Sequence, residues 1–241
     1  SEMYAVRLAY LAKAEKYVRM HGTINFGEGG EANDVTDVLE QAGMVPESVF
    51  PGSGFDTDNF DFGGMDRELK DYVDQVIGSA EGNFDPDWKQ GFEAILDRYM
   101  GAVPYAFEWQ GQSFTPLSFA ARLGLAADDY VLIGSYLHHP YYSRFILEIP
   151  DNWSWEPVYN VPLDEMMQIL DRSLDLGFSV VWAADISEPG FSFKTGLAVI
   201  SEEADMVTEG KHQSYSHGSA GQLVMADGTE PGISTLPAAI T

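Results

Sequence analysis

The sequence contains no cysteine, so a disulfide, a thiolate metal site and a thiol nucleophile are all excluded within these 241 residues. Basic residues are scarce. Thirteen Lys and Arg stand against 38 Asp and Glu, a formal net charge of −25. A surface of that sign repels nucleic acid and anionic lipid. It serves solubility, or it draws cationic ligands inward, protonated amino termini among them. Also missing is any apolar run near the roughly 20 residues that span a bilayer. The opening SEMYAVRLAYLAKAEKY has no signal-peptide layout and reads as the interior of a helix, and STLPAAIT ends without a terminating feature. A piece cut at both ends is the expectation. What is present, 45% apolar and 13% aromatic residues, is the composition of a globular chain with a core.

Hydrophobic spacing predicts helices over 3–20 (Tyr4, Leu8, Leu11, Tyr17, Val18) and 31–42 (Val35, Val38, Leu39, Ala42), stopped by Gly22 and Gly43. A Pro-, Gly- and Asp-rich loop follows. Helices over 65–78 and 86–100 then form a hairpin, with Pro86 suited to a first turn. Beyond Pro104 the texture becomes β-rich: VLIGSYL, SRFILEI, FSVVWAADI as a buried strand and FKTGLAVI as another. One helix interrupts, starting at Pro162 with Gly177 just past its end, and Leu163, Met166, Met167, Leu170 and Leu174 make its stripe. Helices first and strands later predict an α+β fold.

The loop NFGEGGEANDV lacks both the Lys-Ser/Thr ending of a phosphate loop and the GxGxxG spacing. Glu28, Glu31 and Asp34 already satisfy the positive end of the following helix and would repel phosphate. Two readings of the glycines stay open: a tight turn needing φ > 0, or a bare main-chain edge beside which an extended peptide pairs like an added strand. In the second, the carboxylates hold the peptide's amino terminus. Other constellations are weaker. DTDNFDFGGMDRE fails the calcium-loop spacing because Phe60 stands where an oxygen ligand belongs. His138 and His139, in an extended chain, would point to opposite faces and so not chelate one zinc. KHQSYSHGSAG has no G-x-S-x-G elbow. The aromatic clusters HHPYY and DNWSW read as structural rather than as a sugar platform.

A glycine pair opening an amphipathic helix, followed by AGMVPESVFP, resembles the cleft-wall segment of papain-like cysteine peptidases. Four stretches resemble the bleomycin hydrolase and aminopeptidase C branch: SEMYAVRLAYLAKAEKYVRMHG, NFGEGGEANDV, HHPYYSRFILEIPDNWSWEPVYNVPLDEMMQILDRSLDLG and VVWAADISEPGF. The resemblance implies a papain-like fold incomplete at both ends: residues 1–55 in the helical lobe with the glycine loop, 56–115 as a helical insertion, 116–241 in the β-rich lobe. It implies that Gly29 and Gly30 bind the peptide backbone. Val180 and Val181 would line the pocket for the substrate's second side chain, unless they are ordinary buried strand, and Trp182 and Asp185 belong to the same segment. It assigns no catalytic residue to this chain, because the family's cysteine lies upstream of the segment matching SEM and its histidine and asparagine lie downstream. His21, His138, His139, His212, His217, Asn152 and Asn160 do not match those positions. The implied activity is hydrolysis of amino-terminal peptide bonds, with this chain alone inactive; the alternative is a non-catalytic acidic peptide-binding relative. Peptide substrates, no nucleic acid, no membrane, no metal or organic cofactor and a homo-oligomeric ring complete the expectation. The family's compartment is the cytoplasm, and an export signal upstream would make it periplasmic or secreted.

Overall fold

The computed structural model describes residues 1–52, 62–79, 85–183, 191–198 and 222–226. The chain is of mixed helical and β construction, in two compact units. One comprises Ser1–Ala127 with Glu148–Ser154; the other comprises Asp128–Leu147 with Trp155–Thr241. The β-rich part read from the sequence began at 116, whereas residues up to 127 pack with the helices.

The first unit is built on α1 (Glu2–Arg19). Ser1 caps it, Glu2 lies in the positive first turn, and Lys16 and Arg19 lie in the negative last turn. Its buried side carries Tyr4, Tyr10, Ala14, Tyr17 and Val18, together with two cations, Arg7 and Lys13. Arg7 reaches Asp97 at 2.5 Å. α2 (Asn33–Ala42) ends at Gly43, whose φ of +75° a side chain would strain. α3 (Gly63–Ser79) and α4 (Trp88–Met100) form the expected hairpin, and their Leu69, Val73, Phe92 and Leu96 are wholly buried. Phe92 is the hub: Phe26, Tyr72 and Trp88 meet its ring at 6.3, 6.4 and 6.4 Å between centroids. Edge and tilted aromatic contacts at such distances add to the gain from burial itself.

Three elements of this unit went unread in the sequence. β1 (Phe107–Trp109) and β2 (Gln112–Phe114) make a tight hairpin through Gln110 and Gly111, both at positive φ. α5 (Pro116–Leu123) begins with a capping box between Thr115 and Ser118 and ends at a left-handed Gly124. Phe119 of α5 receives Phe107, Trp109 and Phe114 on its faces and edges.

The second unit holds a five-stranded sheet in the order β4-β5-β3-β9-β6. Its strands are β3 (Tyr130–Gly134), β4 (Ser143–Ile146), β5 (Pro157–Asn160), β6 (Val180–Ala183) and β9 (Gln222–Ala226). Among the described strands of this sheet, β3 and β5 pair in parallel and the other pairings are antiparallel. α6 (Leu163–Asp175) packs on it through Met166, Ile169 and Leu170, against Ile133, Val161 and Val180. The apolar stripe expected for this helix is rotated: Leu163, Met167 and Leu174 are exposed, and Ser173 is buried with its hydroxyl donating to Ile169 O at 2.7 Å. FKTGLAVI is not one strand. β7 (Phe191–Ser192) and β8 (Leu197–Ala198) are a two-residue pair joined by a turn, with Gly196 at φ +67°. The His138–His139 expectation also fails, because residues 137–138 form a turn rather than extended chain. The two imidazoles converge to 4.4 Å and His139 stacks on Phe145 at 4.0 Å. No helix among the described residues is long and apolar enough to cross a membrane.

Candidate functional site

The glycine loop is organised from below by Lys13. A lysine on the inward face of a helix is costly unless its ammonium finds partners. Lys13 is 4% exposed, and its Nζ donates to Gly27 O at 2.8 Å and to Gly29 O. The rings of Tyr10 and Trp153 lie 5.8 and 5.7 Å from that nitrogen. Burial lowers the Lys13 pKa, while Asp34, Asp151 and Asp66 oppose that shift. The tether turns two loop carbonyls inward and fixes the course of the backbone between them.

A second segment, 148–154, returns to the same place. Asn33 Nδ2 donates to Ser154 Oγ at 2.9 Å, and Lys16 Nζ donates to Ser154 O at 2.6 Å. Trp153 Nε1 donates to Asp34 Oδ2 at 2.8 Å, and Asn25 Nδ2 reaches Asp151 Oδ1 at 3.4 Å. These bonds bring Asp151 over the glycines.

Neither Gly29 nor Gly30 has a φ in the left-handed region, so the tight-turn reading of the pair is not what the backbone requires. Space is the requirement. A Cβ on Gly29 would lie 2.1 Å from Asp151 Oδ1, and one on Gly30 would lie 2.5 Å from Asp34 Oδ2. The two glycines also differ. Gly29 is half-buried with its carbonyl committed to Lys13, whereas Gly30 is exposed. Among the described residues no hydrogen bond engages the Gly30 N–H or C=O.

The carboxylates make the local field. Asp34, in the first turn of α2, accepts from the Glu31 N–H at 3.2 Å as well as from Trp153. Its other oxygen, Oδ1, is buried and accepts no hydrogen bond among the described residues. Burial raises the Asp34 pKa to about 6, against the pull of Trp153, Lys13 and the Glu31 amide. Burial, then Asp151 and Asp34, raise Glu31 to about 7. Near neutral pH the cluster therefore gains a negative charge over a narrow range. A ligand ammonium would relieve both the desolvation and the mutual repulsion.

The remaining sequence candidates fall elsewhere. Val180 and Val181 belong to the second unit, on β6. Val180 and Trp182 pack toward α6, and Val181, on the opposite face, is 39% exposed. The strand is thus half-buried rather than fully buried, because α6 covers one face. Asp185 lies outside the described residues, as do His212, His217 and most of DTDNFDFGG. Asn160 is fully buried and structural: its amide brackets the turn, accepting from Tyr136 N and donating to Tyr136 O, His139 O and Pro140 O. Lys13, Asp151 and Trp153 were missed as site residues. For Asp151 and Trp153 the one signal was DNWSW, an acid two residues before an indole donor in a segment otherwise without a role; Lys13 had none. No protein-family model and no curated protein matches this chain.

Substituting Gly29→Ala is expected to destabilise the first unit by roughly 1–2 kcal/mol through the forced approach to Asp151. Adding Asp151→Ala should recover a large part of that loss. Urea unfolding of the single and double variants checks this; equal losses in both would place the strain elsewhere.

Proposed function

We propose that this chain supplies the peptide-binding wall of a cysteine-type aminopeptidase of papain-like construction. The observation that carries the reading is Gly30: an exposed main-chain donor and acceptor, on a backbone fixed by a buried lysine, beside three carboxylates. A peptide laid alongside in extended form accepts from the Gly30 N–H and donates to the Gly30 C=O, as an added strand does. Its protonated amino terminus falls to Glu31 and Asp151, the acids that crowd each other most. Asp34 acts on them as a positioning residue, holding the Glu31 amide and Trp153. Blocking groups on the amino terminus would bury an acid against an uncharged cap, which is the physical basis of a preference for free amino ends.

In the parent reaction implied by the resemblance, a cysteine attacks the scissile carbonyl, a histidine relays the proton, and the acyl-thiol intermediate is hydrolysed. No thiol is present in these 241 residues, so the chain itself binds without cutting. That same fact favours the second reading, a non-catalytic acidic peptide-binding relative. A ring-like homo-oligomer and a cytoplasmic setting belong to the same proposal.

Titration calorimetry with an unblocked tripeptide amide and its N-acetylated twin tests the reading. The free peptide should bind at least about tenfold more tightly, a difference of about 1.4 kcal/mol. Equal affinities would remove the amino-terminal role. Turnover of an aminoacyl fluorogenic substrate by this chain, unaffected by thiol alkylation, would overturn the cysteine mechanism.

A further inference from the structure

We propose that the outer stripe of α6 is a docking site for a basic amphipathic helix of a partner protein. The stripe lies wholly within the second unit. Four apolar residues run along α6 at 163, 167, 170 and 174, at intervals of four, three and four. That alternation is the seam of a coiled coil, which a second helix covers by setting its own side chains between them. The sheet takes only the margin of the seam. Leu170 packs on the cluster of Ile133, Val161 and Met166, whereas Leu163, Met167 and Leu174 are 43%, 39% and 54% exposed. A single exposed leucine is ordinary on a protein surface; a line of apolar residues over about three helical turns, roughly 17 Å, is an interaction surface.

A row of carboxylates selects the occupant. Asp164, Asp171 and Asp175 each directly follow a seam leucine, so helical geometry sets all three along one side of the stripe. All three are exposed, and among the described residues no ion pair engages them. The other side of the stripe belongs to the sheet, through Met166 and Ile169. Glu165 and Arg172 fall on the far face, where Glu165 accepts from the Tyr142 hydroxyl at 2.5 Å. The partner that fits brings apolar residues for the seam and lysines or arginines along one flank, at the seven- and four-residue intervals of the aspartates. A second copy of the chain does not fit. Two α6 helices laid antiparallel set aspartate row against aspartate row, and like charges so placed reject a pairing. In solvent the ion pairs fix register and choice of partner, while the covered leucines supply the affinity.

The probe is a synthetic helix of about 21 residues, acetylated and amidated, with leucines at seam positions and lysines along the flank that meets the aspartates. Its control has the same composition, with the lysines moved to the face away from the seam. Fluorescence anisotropy should show the flank-lysine peptide binding about tenfold more tightly than the control, the factor that three exposed ion pairs supply together. Met167→Glu, at an exposed position in the middle of the seam, should abolish binding with the fold intact by circular dichroism. Asp171→Lys should weaken the lysine peptide by at least about threefold and strengthen a glutamate-flanked twin. Equal binding of the two lysine peptides would reduce the effect to attraction by the acidic surface and overturn the proposal. So would unchanged affinity in Met167→Glu, or no change of preference in Asp171→Lys. Dimerisation of the chain that Met167→Glu abolishes would make a second copy the occupant and overturn it as well. The unblocked tripeptide should bind Met167→Glu as it binds the parent chain, so this site and the Gly30 edge fail independently.

Discussion

Replacing Lys13 by Met should destabilise the first unit by roughly 2–4 kcal/mol and weaken tripeptide binding by more than about tenfold. Removing a buried charge is not always harmful: a buried ion pair exchanged as a whole for apolar residues is often neutral or stabilising. The Lys13 partners decide the sign here. Two are backbone carbonyls, Gly27 O and Gly29 O, which no side-chain substitution removes. Asp34, Asp151 and Asp66 share its field and would remain without it. Met fills the volume and satisfies none of them. The carbonyls would turn toward water, carrying Gly30 with them, which is why affinity should fall with stability. Urea unfolding and calorimetry on the same variant separate the two effects. A Lys13→Met chain as stable as the parent would mean that the loop is held by something other than this tether.

Glu31→Gln should do the reverse to stability at one end of the pH scale while damaging binding. The folded-state pKa of Glu31 lies at about 7, above its ordinary 4.5. A raised carboxyl favours the folded state fully when protonated in both states, and that contribution is lost as pH climbs through the folded value. The cost of the charged form is therefore complete only above pH 7. Gln, neutral throughout, should be indistinguishable from the parent near pH 4.5 and more stable than it at pH 8, by on the order of 1–3 kcal/mol. Asp34, raised to about 6, adds a slope of the same sign over a lower window. The parent chain should thus lose stability between pH 5 and pH 8 from this cluster, and Glu31→Gln should flatten the upper half of that loss. Binding of the unblocked tripeptide should strengthen over the same interval as Glu31 ionises, then weaken as the peptide amine deprotonates near pH 8. A Gln variant less stable than the parent at pH 8 would show that the carboxylate is compensated by a partner.

The helices were legible because their apolar residues recur with helical period and Gly22 and Gly43 stop the first two; the Ser1 cap was not read, because the opening segment looked like the interior of a helix. α5 was equally legible and passed over. Thr115-Pro116 with Ser118 at the third helical position and Gly124 beyond the end spell its caps. The rotated stripe of α6 illustrates a limit of periodicity: Leu163, Met167 and Leu174 fit one face as well as Met166, Ile169 and Leu170 fit another, and only the sheet decides which is covered. The glycine loop itself could be found from its composition. Its reason for glycine at position 29 could not, because the atoms that exclude a Cβ there come from Asp151, over 120 positions along the chain. Lys13 was invisible for a related cause. A lysine between Ala12 and Ala14 reads as a solvated face until the carbonyls it meets are known.

The account as a whole stands on the Gly30 main chain pairing with that of a peptide. The Gly30 amide resonance, followed by NMR during addition of the unblocked tripeptide amide, addresses it directly. It should move downfield in proportion to saturation, and a peptide N-methylated at the nitrogen that faces the Gly30 carbonyl should bind far more weakly. A Gly30 amide that stays in place while the peptide saturates the protein would contradict the account.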